Sequence, residues 1–187
     1  AQAGEKAYET HVAWGLFEAA RIEPDKSYAE AGLSNIRWAL GKQRENGWVE
    51  DCCLSDPSQP LTHTLGYFLR GLLEAYRYSL EPELLVSARR TADGLMGAMA
   101  EDGRLPGRLD SNWSAAVPWV CLTGSAQVAH CWLLLHAFTG KESYKRAGLA
   151  ANRYVRRTVC TDGAPEIRGG VKGSFPVDGD YGKYEYL

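Results

Sequence analysis

QRENGW, at residues 43–48, has two counterparts further along the chain, EDGRL at 101–105 and TDGAP at 161–165. Each contains a glycine preceded by Asn or Asp, and the three glycines, separated by 56 and 60 residues, are Gly47, Gly103 and Gly163. Nineteen positions before each glycine lies an apolar residue: Tyr28, Leu84 and Tyr144, respectively. Twelve positions before each of these lies another: Leu16, Leu72 and Trp132. This period indicates stacked supersecondary units, here three that align without gaps over about 37 residues.

Each unit has the pattern of two helices joined by a short turn. In the second unit apolar residues recur at helical spacing before the turn, at Leu65, Leu69, Leu72 and Tyr76, and again after it. The turns EPDK, LEPE and TGKE each supply Pro or Gly together with an acid at the start of the next helix. The first helix of the third unit, AQVAHCWLLLHAF, is apolar nearly all round, which is typical of a helix covered on both sides.

These patterns predict an all-α chain with apolar inner helices and amphipathic outer ones. We expect a single domain over 1–187, with hairpins at approximately 8–47, 64–103 and 124–163 and a glycine-rich loop at 164–187. The turns within hairpins are about four residues long, whereas the connections between hairpins reach about 15 and 20 residues. In such an array the long connections share one rim, beside the N-termini of the inner helices, where functional loops are usually placed.

Hairpins of this length, closed by QRENGW, EDGRL and TDGAP, resemble those of the (α/α) toroids. That group includes the six-hairpin glycosidases with related polysaccharide lyases and epimerases, and also the terpenoid cyclase and prenyltransferase toroids. The resemblance covers nearly the whole chain, and it implies a carbohydrate ligand with hydrolase, lyase or epimerase chemistry. A full toroid has about six hairpins, so three hairpins correspond to a half toroid. We therefore expect the ring to be completed either by the remainder of a longer chain or by a second copy in a homodimer.

The composition is that of an ordinary globular protein, with 45% hydrophobic and 24% charged residues. A net charge of −2 argues against nucleic acid as a partner, and no apolar run is long enough to cross a membrane. The five cysteines form no CxxC pair, which argues against a zinc ribbon or a disulfide framework and favours a cytoplasmic setting. No nucleotide-binding glycine motif is present, and we expect no cofactor.

The first long loop, VEDCCLSDPSQPLTH, has the residue types of three different kinds of site. Asp51 or His63 would suit general acid–base catalysis, with Trp48 against the substrate. Asp-Cys-Cys followed ten residues later by His offers ligand types that zinc accepts, but adjacent cysteines rarely share one ion, so we expect no metal. The structural alternative is that Cys52 and Cys53 pack beneath the loop while Trp48 closes the end of the hairpin.

The second loop, RLPGRLDSNWSAAVPWVCLTGS, combines indole rings with Asp, Asn and Arg. Such side chains suit a sugar, because indole stacks on C–H faces, hydroxyls take bidentate hydrogen bonds and guanidinium binds a carboxylate. The candidates are Asp110 for catalysis and, for binding, Arg108, Trp113 and, on the following inner helix, Gln127. The alternative is that Trp113 only covers the loop and Trp119 belongs to the core. We expect His130, on the same inner helix, to be an interior residue.

The third stretch, EIRGGVKGSFPVDGDYGKYEYL, alternates five glycines with charged and aromatic residues. Glycine at this density indicates unusual backbone angles or close approach to another surface. A glycosidase would pair an acid here with one in the first loop, whereas a lyase or epimerase would use Tyr or His beside a cation that neutralises a uronate. The candidates are Asp180 and Tyr181 for catalysis, and Arg168, Lys172, Asp178 and Tyr184 for binding. The alternative is an ordered loop packed over the mouth of the ring.

Two further classes of function are compatible with a hairpin array. A terpenoid cyclase would show a DDxD or DxDD motif, and neither occurs in the sequence. A non-catalytic scaffold, or a module that binds a sugar or a peptide, needs no such motif. An enzyme would place titratable groups with shifted pKa values in one cleft, whereas a scaffold would present a shallow concave face.

Overall fold

The repeated pattern forms three helical hairpins, and a computed structural model describes them over residues 6–23 and 25–176. The inner helices are α1 (Thr10–Ile22), α3 (Thr62–Ser79) and α5 (Leu122–Thr139), and the outer helices are α2 (Lys26–Leu40), α4 (Pro82–Ala98) and α6 (Glu142–Arg156). A 3-10 turn at Ala7–Glu9 precedes α1, and two short strands, β1 (Val120–Cys121) and β2 (Ser174–Phe175), pair antiparallel. The prediction of an all-α chain with three hairpins is confirmed.

The helices pack in the order that their apolar faces predict. Helix α3 lies between α1 and α5, and each outer helix packs on the inner helix of its own hairpin. The largest buried side chains include Phe68, Leu72 and Trp132 of the inner helices, none of which has exposed surface. Burial of each such side chain contributes about 1.5–3 kcal/mol, so the inner helices carry much of the stability. No helix in the ranges 6–23 and 25–176 is both long and apolar enough to cross a membrane.

Two of the repeated glycines are required by backbone angle and by space together. Gly47 and Gly103 have φ values of 83° and 91°, in the left-handed region that favours glycine. A Cβ at Gly47 would lie 2.3 Å from the carbonyl oxygen of Arg90 on α4, and one at Gly103 would lie 2.3 Å from that of Ala150 on α6. The ends of the first and second hairpins therefore abut the outer helix of the hairpin that follows.

The long connections meet at the N-termini of the inner helices, as the unequal loop lengths predict. The backbone N–H of Thr62 donates to the Gly107 carbonyl at 3.0 Å, which joins the second loop to the start of α3. The N–H of Leu122 donates to the Gly173 carbonyl at 3.1 Å, which joins the third stretch to the start of α5. These backbone contacts fix one rim of the array, on which the loop residues are held.

Candidate functional site

A cavity of about 350 Å³, here called the inner cavity, lies between the three inner helices. Each inner helix contributes two large side chains to its lining: His11 and Trp14 from α1, Tyr67 and Arg70 from α3, and Gln127 and His130 from α5. In the alignment of the repeat these are the same two positions of every unit, three residues apart and hence on one helix face. The sequence-based prediction included only Gln127 among these six and missed the other five, and the signal that would have identified them is this polar and aromatic pair in each aligned unit.

Three histidines in or beside the inner cavity have lowered pKa values. The ring of His11 stacks on Tyr67 with centroids 4.3 Å apart, and His63 makes an edge contact with the same ring at 4.4 Å. Burial lowers the pKa of His11 and of His63, with smaller contributions from the charges of Arg70 and of His11, respectively. Burial and then Arg70 also lower the pKa of His130. These imidazoles are therefore neutral at pH 7 and able to accept a proton.

Helix α5 brings two polar side chains to the inner cavity. The Oε1 atom of Gln127 is buried and has no hydrogen-bond partner among the described residues. Gly66 of α3 makes room for it, because a Cβ there would lie 3.3 Å from that oxygen. A buried acceptor without a partner is costly, and a ligand hydroxyl would satisfy it. His130 is exposed at the cavity, so the prediction that it is an interior residue is wrong.

Arg70 carries the permanent charge of the described cavity lining, and Glu74 compensates that charge. The Nη2 and Nε atoms of Arg70 lie 2.7 and 2.8 Å from Oε1 of Glu74, whose side chain is 1% exposed. The guanidinium also lies over the indole of Trp14, 4.2 Å from the ring centroid. Trp14 in turn donates its Nε1–H to Glu18 at 3.1 Å. This network holds Trp14 in place and occupies the Nε–Nη2 edge of Arg70.

A second concavity of about 500 Å³, the rim depression, brings together three of the predicted site residues. They are Trp48, Asp51 and Asp110, which line it with Arg44, Glu50, Pro57, Ser58, Gln59 and Ser111. Asp51 pairs with the Nζ of Lys42 at 3.0 Å and has a φ of 54°. The Oδ1 of Asp110 accepts the backbone N–H groups of Asn112 and Ser114, both at 2.9 Å. Both carboxylates therefore hold the loops in shape.

The other candidates of the first two loops make contacts within the rim. Trp48 is buried and meets the edge of Trp113, with centroids 5.4 Å apart. The Nε1–H of Trp113 donates to the Asn46 carbonyl at 3.0 Å, and Arg108 donates to the Gln59 carbonyl at 2.7 Å. These contacts fit the alternative in which the loop side chains are structural. Trp119 is buried, as that alternative predicts.

The two described candidates of the third stretch lie outside both concavities. Arg168 is exposed in the turn that follows α6, and Lys172 is half-buried near β2. Neither lines the inner cavity or the rim depression. The remaining four lie outside the described residues: Asp178, Asp180, Tyr181 and Tyr184.

The adjacent cysteines pack beneath the first loop. Cys52 and Cys53 are buried, and the Sγ–H of Cys52 donates to the Thr64 carbonyl at 3.3 Å. The hydroxyl of Thr64 donates back to the Cys52 carbonyl at 2.7 Å. Burial raises the pKa of the Cys52 thiol, which keeps the thiol protonated in this environment. Within the part of the chain that the structure describes, no group of three or more His, Cys, Asp or Glu side chains is placed to hold a metal ion.

No protein family model and no curated protein matches this chain, but solved structures do. The unsaturated glucuronyl hydrolase of Bacillus sp. GL1 matches with a TM-score of 0.74 and 14% identity, over 89% of this chain and 50% of that one. The cellobiose 2-epimerase of Spirochaeta thermophila gives 0.69 and 14%, over 89% and 48%. A polysaccharide lyase gives 0.72 and 13%, over 97% and 55%.

The chain thus spans about half the length of each structure that it matches. At such low identity the likeness concerns the fold. The chain accordingly has the (α/α) toroid fold of these structures, and it corresponds to about half of such a ring.

Proposed function

We propose that this chain binds a saccharide in the inner cavity and transfers a proton on it, as an epimerase or a lyase does. The observation that carries the proposal is that His11 and His130 line the inner cavity, with a third imidazole, that of His63, against Tyr67 beside it. The buried oxygen of Gln127 supplies an acceptor for a sugar hydroxyl. The structures of similar fold are those of a glucuronyl hydrolase, an epimerase and a lyase, which supports a sugar as the ligand.

Neutral imidazoles suit proton transfer at a carbon next to a carbonyl. One imidazole takes the proton, and the C–H electron pair moves toward the carbonyl oxygen to give an enolate. In an epimerase the carbon is then protonated on its other face, while in a lyase the electron pair expels the oxygen at the next carbon, which takes up a proton. His130 is exposed at the cavity and His11 lies on the opposite flank of α3. One neutral imidazole is therefore suited to take the proton from one side, and the other, once it has taken up a proton from solvent, to donate one from the second side.

The charge of the cavity favours a neutral sugar, and hence epimerisation over elimination. A uronate needs a cation with a free binding edge, and the Nε–Nη2 edge of Arg70 is bound to Glu74. Trp14 lines the same cavity, where its indole supplies an apolar surface for a sugar ring.

A glycoside hydrolase is the second candidate, and the rim depression supports it. Such an enzyme uses two carboxylates, and Asp51 and Asp110 line the same depression. Against it, Asp51 is paired with Lys42 and Asp110 holds its own loop. The described lining of the inner cavity contains no carboxylate.

Proton transfer is tested by NMR in D2O with the 187-residue chain. The two probes are cellobiose, a neutral reducing sugar, and an unsaturated glucuronyl disaccharide. We expect deuterium to enter C2 of cellobiose, and His130→Gln to slow that exchange about 100-fold or more. His136→Gln is the matched control on the same helix, because His136 faces the Lys141 carbonyl and not the cavity, and it should leave the rate unchanged.

Each alternative has its own outcome in the same samples. Binding without deuterium exchange would identify a sugar-binding module. Cleavage of the glucuronyl disaccharide that is lost in Asp51→Asn and Asp110→Asn would support the hydrolase. Failure to bind either sugar would contradict the proposal.

A further inference from the structure

The first hairpin exposes a face that the second and third hairpins bury. On the inner helix Val12 is 64% exposed, and its counterparts in the repeat have no exposed surface: Phe68 and Val128. On the outer helix Tyr28 is 38% exposed, and its counterparts are again buried: Leu84 and Tyr144. The sequence is apolar at these positions in all three units, so the first hairpin carries the same packing face without a neighbour among the described residues.

In the other two hairpins this face is covered by the inner helix that precedes it. A Cβ at Gly71 of α3 would lie 2.4 Å from the carbonyl oxygen of Thr10 on α1. Cys131, at the same position of α5, has its Sγ 3.9 Å from the carbonyl oxygen of Gly66 on α3. Thr10 and Gly66 are themselves counterparts, so one contact recurs at both junctions. Gly15 is the third counterpart, and nothing in the described structure lies within 4 Å of a Cβ built there.

The outer helices show the same relation. Gly163 ends the third hairpin as Gly47 ends the first, yet a Cβ there meets only its own loop within 4 Å. Gly47 and Gly103 pack on Arg90 of α4 and Ala150 of α6, respectively. The counterpart of these two residues on α2 is Ser34, which is exposed. Next to it, the Oδ1 of Asn35 is buried without a hydrogen-bond partner in the described ranges. At its counterpart Thr91, the preceding hairpin supplies a hydrogen bond, from Gln43 at 2.8 Å.

We infer that these two ends bind each other between two copies of the chain. The leading face includes Val12, Gly15, Tyr28, Ser34 and Asn35, and the trailing face includes Gly163 and Ala126, which is the counterpart of Thr10 and Gly66. Within the chain, the residues that correspond to these two faces already pack on each other twice, between the first and second hairpins and between the second and third. The two faces are therefore complementary because the repeat supplies the same contact positions. A second copy is therefore a partner that fits without any further adaptation.

Two copies are also the number that closes the ring. The chain superposes on about half of structures with the closed six-hairpin fold, at 50% and 48% of their length. A twofold axis through the centre would then place each leading face on the trailing face of the other copy, in two equal interfaces. End-to-start contacts that close in this way give a finite ring and not a filament. Both inner cavities would face the common centre, so each site would be completed by the other copy.

The inference rests on the fold, so a mass measurement tests it without any sugar. We expect light scattering on the 187-residue chain, at micromolar to millimolar concentration, to give twice the 20.6 kDa of one chain. Val12→Arg should weaken association at least about tenfold, because it places a charge in the apolar contact. The helical content should be unchanged, since Val12 is exposed in the single chain.

Val86→Arg is the matched control. Val86 is also an exposed valine on a helix, but its counterparts in the repeat are exposed charged residues: Glu30 and Arg146. This variant should remain dimeric. The register is tested by Gly15→Cys combined with Ala126→Cys, which should give a disulfide-linked dimer on oxidation, whereas Val86→Cys with Ala126→Cys should not.

Three outcomes would overturn the inference. A mass of 20.6 kDa at every concentration would mean that other hairpins, and not a second copy, cover the leading face. Open-ended polymers would mean that the contact forms but does not close with two chains. A dimer that tolerates Val12→Arg would use a different surface.

Discussion

The inner cavity and the rim depression differ in how the fold supplies their side chains. The cavity takes two positions from each inner helix, whose backbone groups are already hydrogen-bonded within the helix. The rim depression takes its residues from loops, where side chains must hold the backbone. Asp110 and Asp51 are engaged in this way, whereas Gln127 of the cavity retains an oxygen without a partner among the described residues. Polar groups on a rigid helix face are therefore available to a ligand, and those in self-supporting loops are not.

The largest expected effect is a difference in stability between variants that break the ion pair of the inner cavity and the ion pair of the rim depression. Glu74→Ala should lower the free energy of unfolding by about 2–4 kcal/mol, because it leaves the largely buried Arg70 without its counter-charge. Asp51→Asn should cost at most about 1 kcal/mol, since the Lys42–Asp51 pair is about a quarter exposed and Asn tolerates the left-handed backbone. Urea unfolding of both variants measures the difference, and equal losses would remove this distinction between cavity and rim.

The next effect concerns ligand affinity. Trp14→Ala should weaken cellobiose binding about tenfold, because it removes the indole face proposed to stack on the sugar. Glu50→Gln, in the rim depression, should change the affinity less than twofold. Calorimetric titration of the two variants compares the regions directly. A tenfold loss in Glu50→Gln with none in Trp14→Ala would place the sugar at the rim.

The boundaries of the three hairpins could be predicted from the sequence, because the same physical constraints act at the same position of each hairpin. At Gly47 and Gly103 the left-handed backbone and the close approach of the next outer helix both exclude a side chain, so glycine recurs at a fixed spacing. Apolar positions such as Leu72 and Trp132 recur for the same reason, because each packs in an equivalent environment. Local backbone requirements and burial leave a pattern in a single sequence.

The residues of the inner cavity were harder to predict from the sequence, because the residue type changes from one unit to the next at positions that occupy equivalent places in the fold. His11, Tyr67 and Gln127 occupy one aligned position, and they share no residue type that a motif search would find. Of the loop candidates, Trp48, Asp51 and Asp110 line one depression. Their engagement depends in part on contacts between residues far apart in sequence, such as Trp48 with Trp113, and no pattern in the loops reveals such contacts.

A smaller effect is the dependence of stability on pH. Burial lowers the pKa of His63 below its ordinary 6.5, so the unfolded chain binds its proton first as the pH falls. Its contribution is full above about pH 6.5 and is lost on acidification toward the lowered pKa, so unfolding free energy should rise with pH in that window. His63→Gln should flatten the rise between about pH 5.5 and 7.5, as urea unfolding at several pH values would show.

The rim provides the control for this titration. Hydrogen bonds from Ser58 lower the pKa of the Asp56 carboxyl below its ordinary 3.8, so its contribution is full above about pH 3.8 and is lost as the pH falls through the lowered value. Asp56→Asn should therefore leave the rise in unfolding free energy between about pH 5.5 and 7.5 unchanged. A flattened rise in that variant would show that the histidines of the cavity are not its source.

The smallest expected effect is that of Asp110→Asn. The amide oxygen of Asn accepts the N–H groups of Asn112 and Ser114 as the carboxylate does, so the loop should keep its shape and the unfolding free energy should change by less than about 0.5 kcal/mol. Sugar binding and C2 exchange should also stay within about twofold, because on this view the carboxylate serves the loop and not the ligand. Loss of turnover in a variant with unchanged stability would instead require the charge of Asp110, and the functional site would then belong to the rim depression.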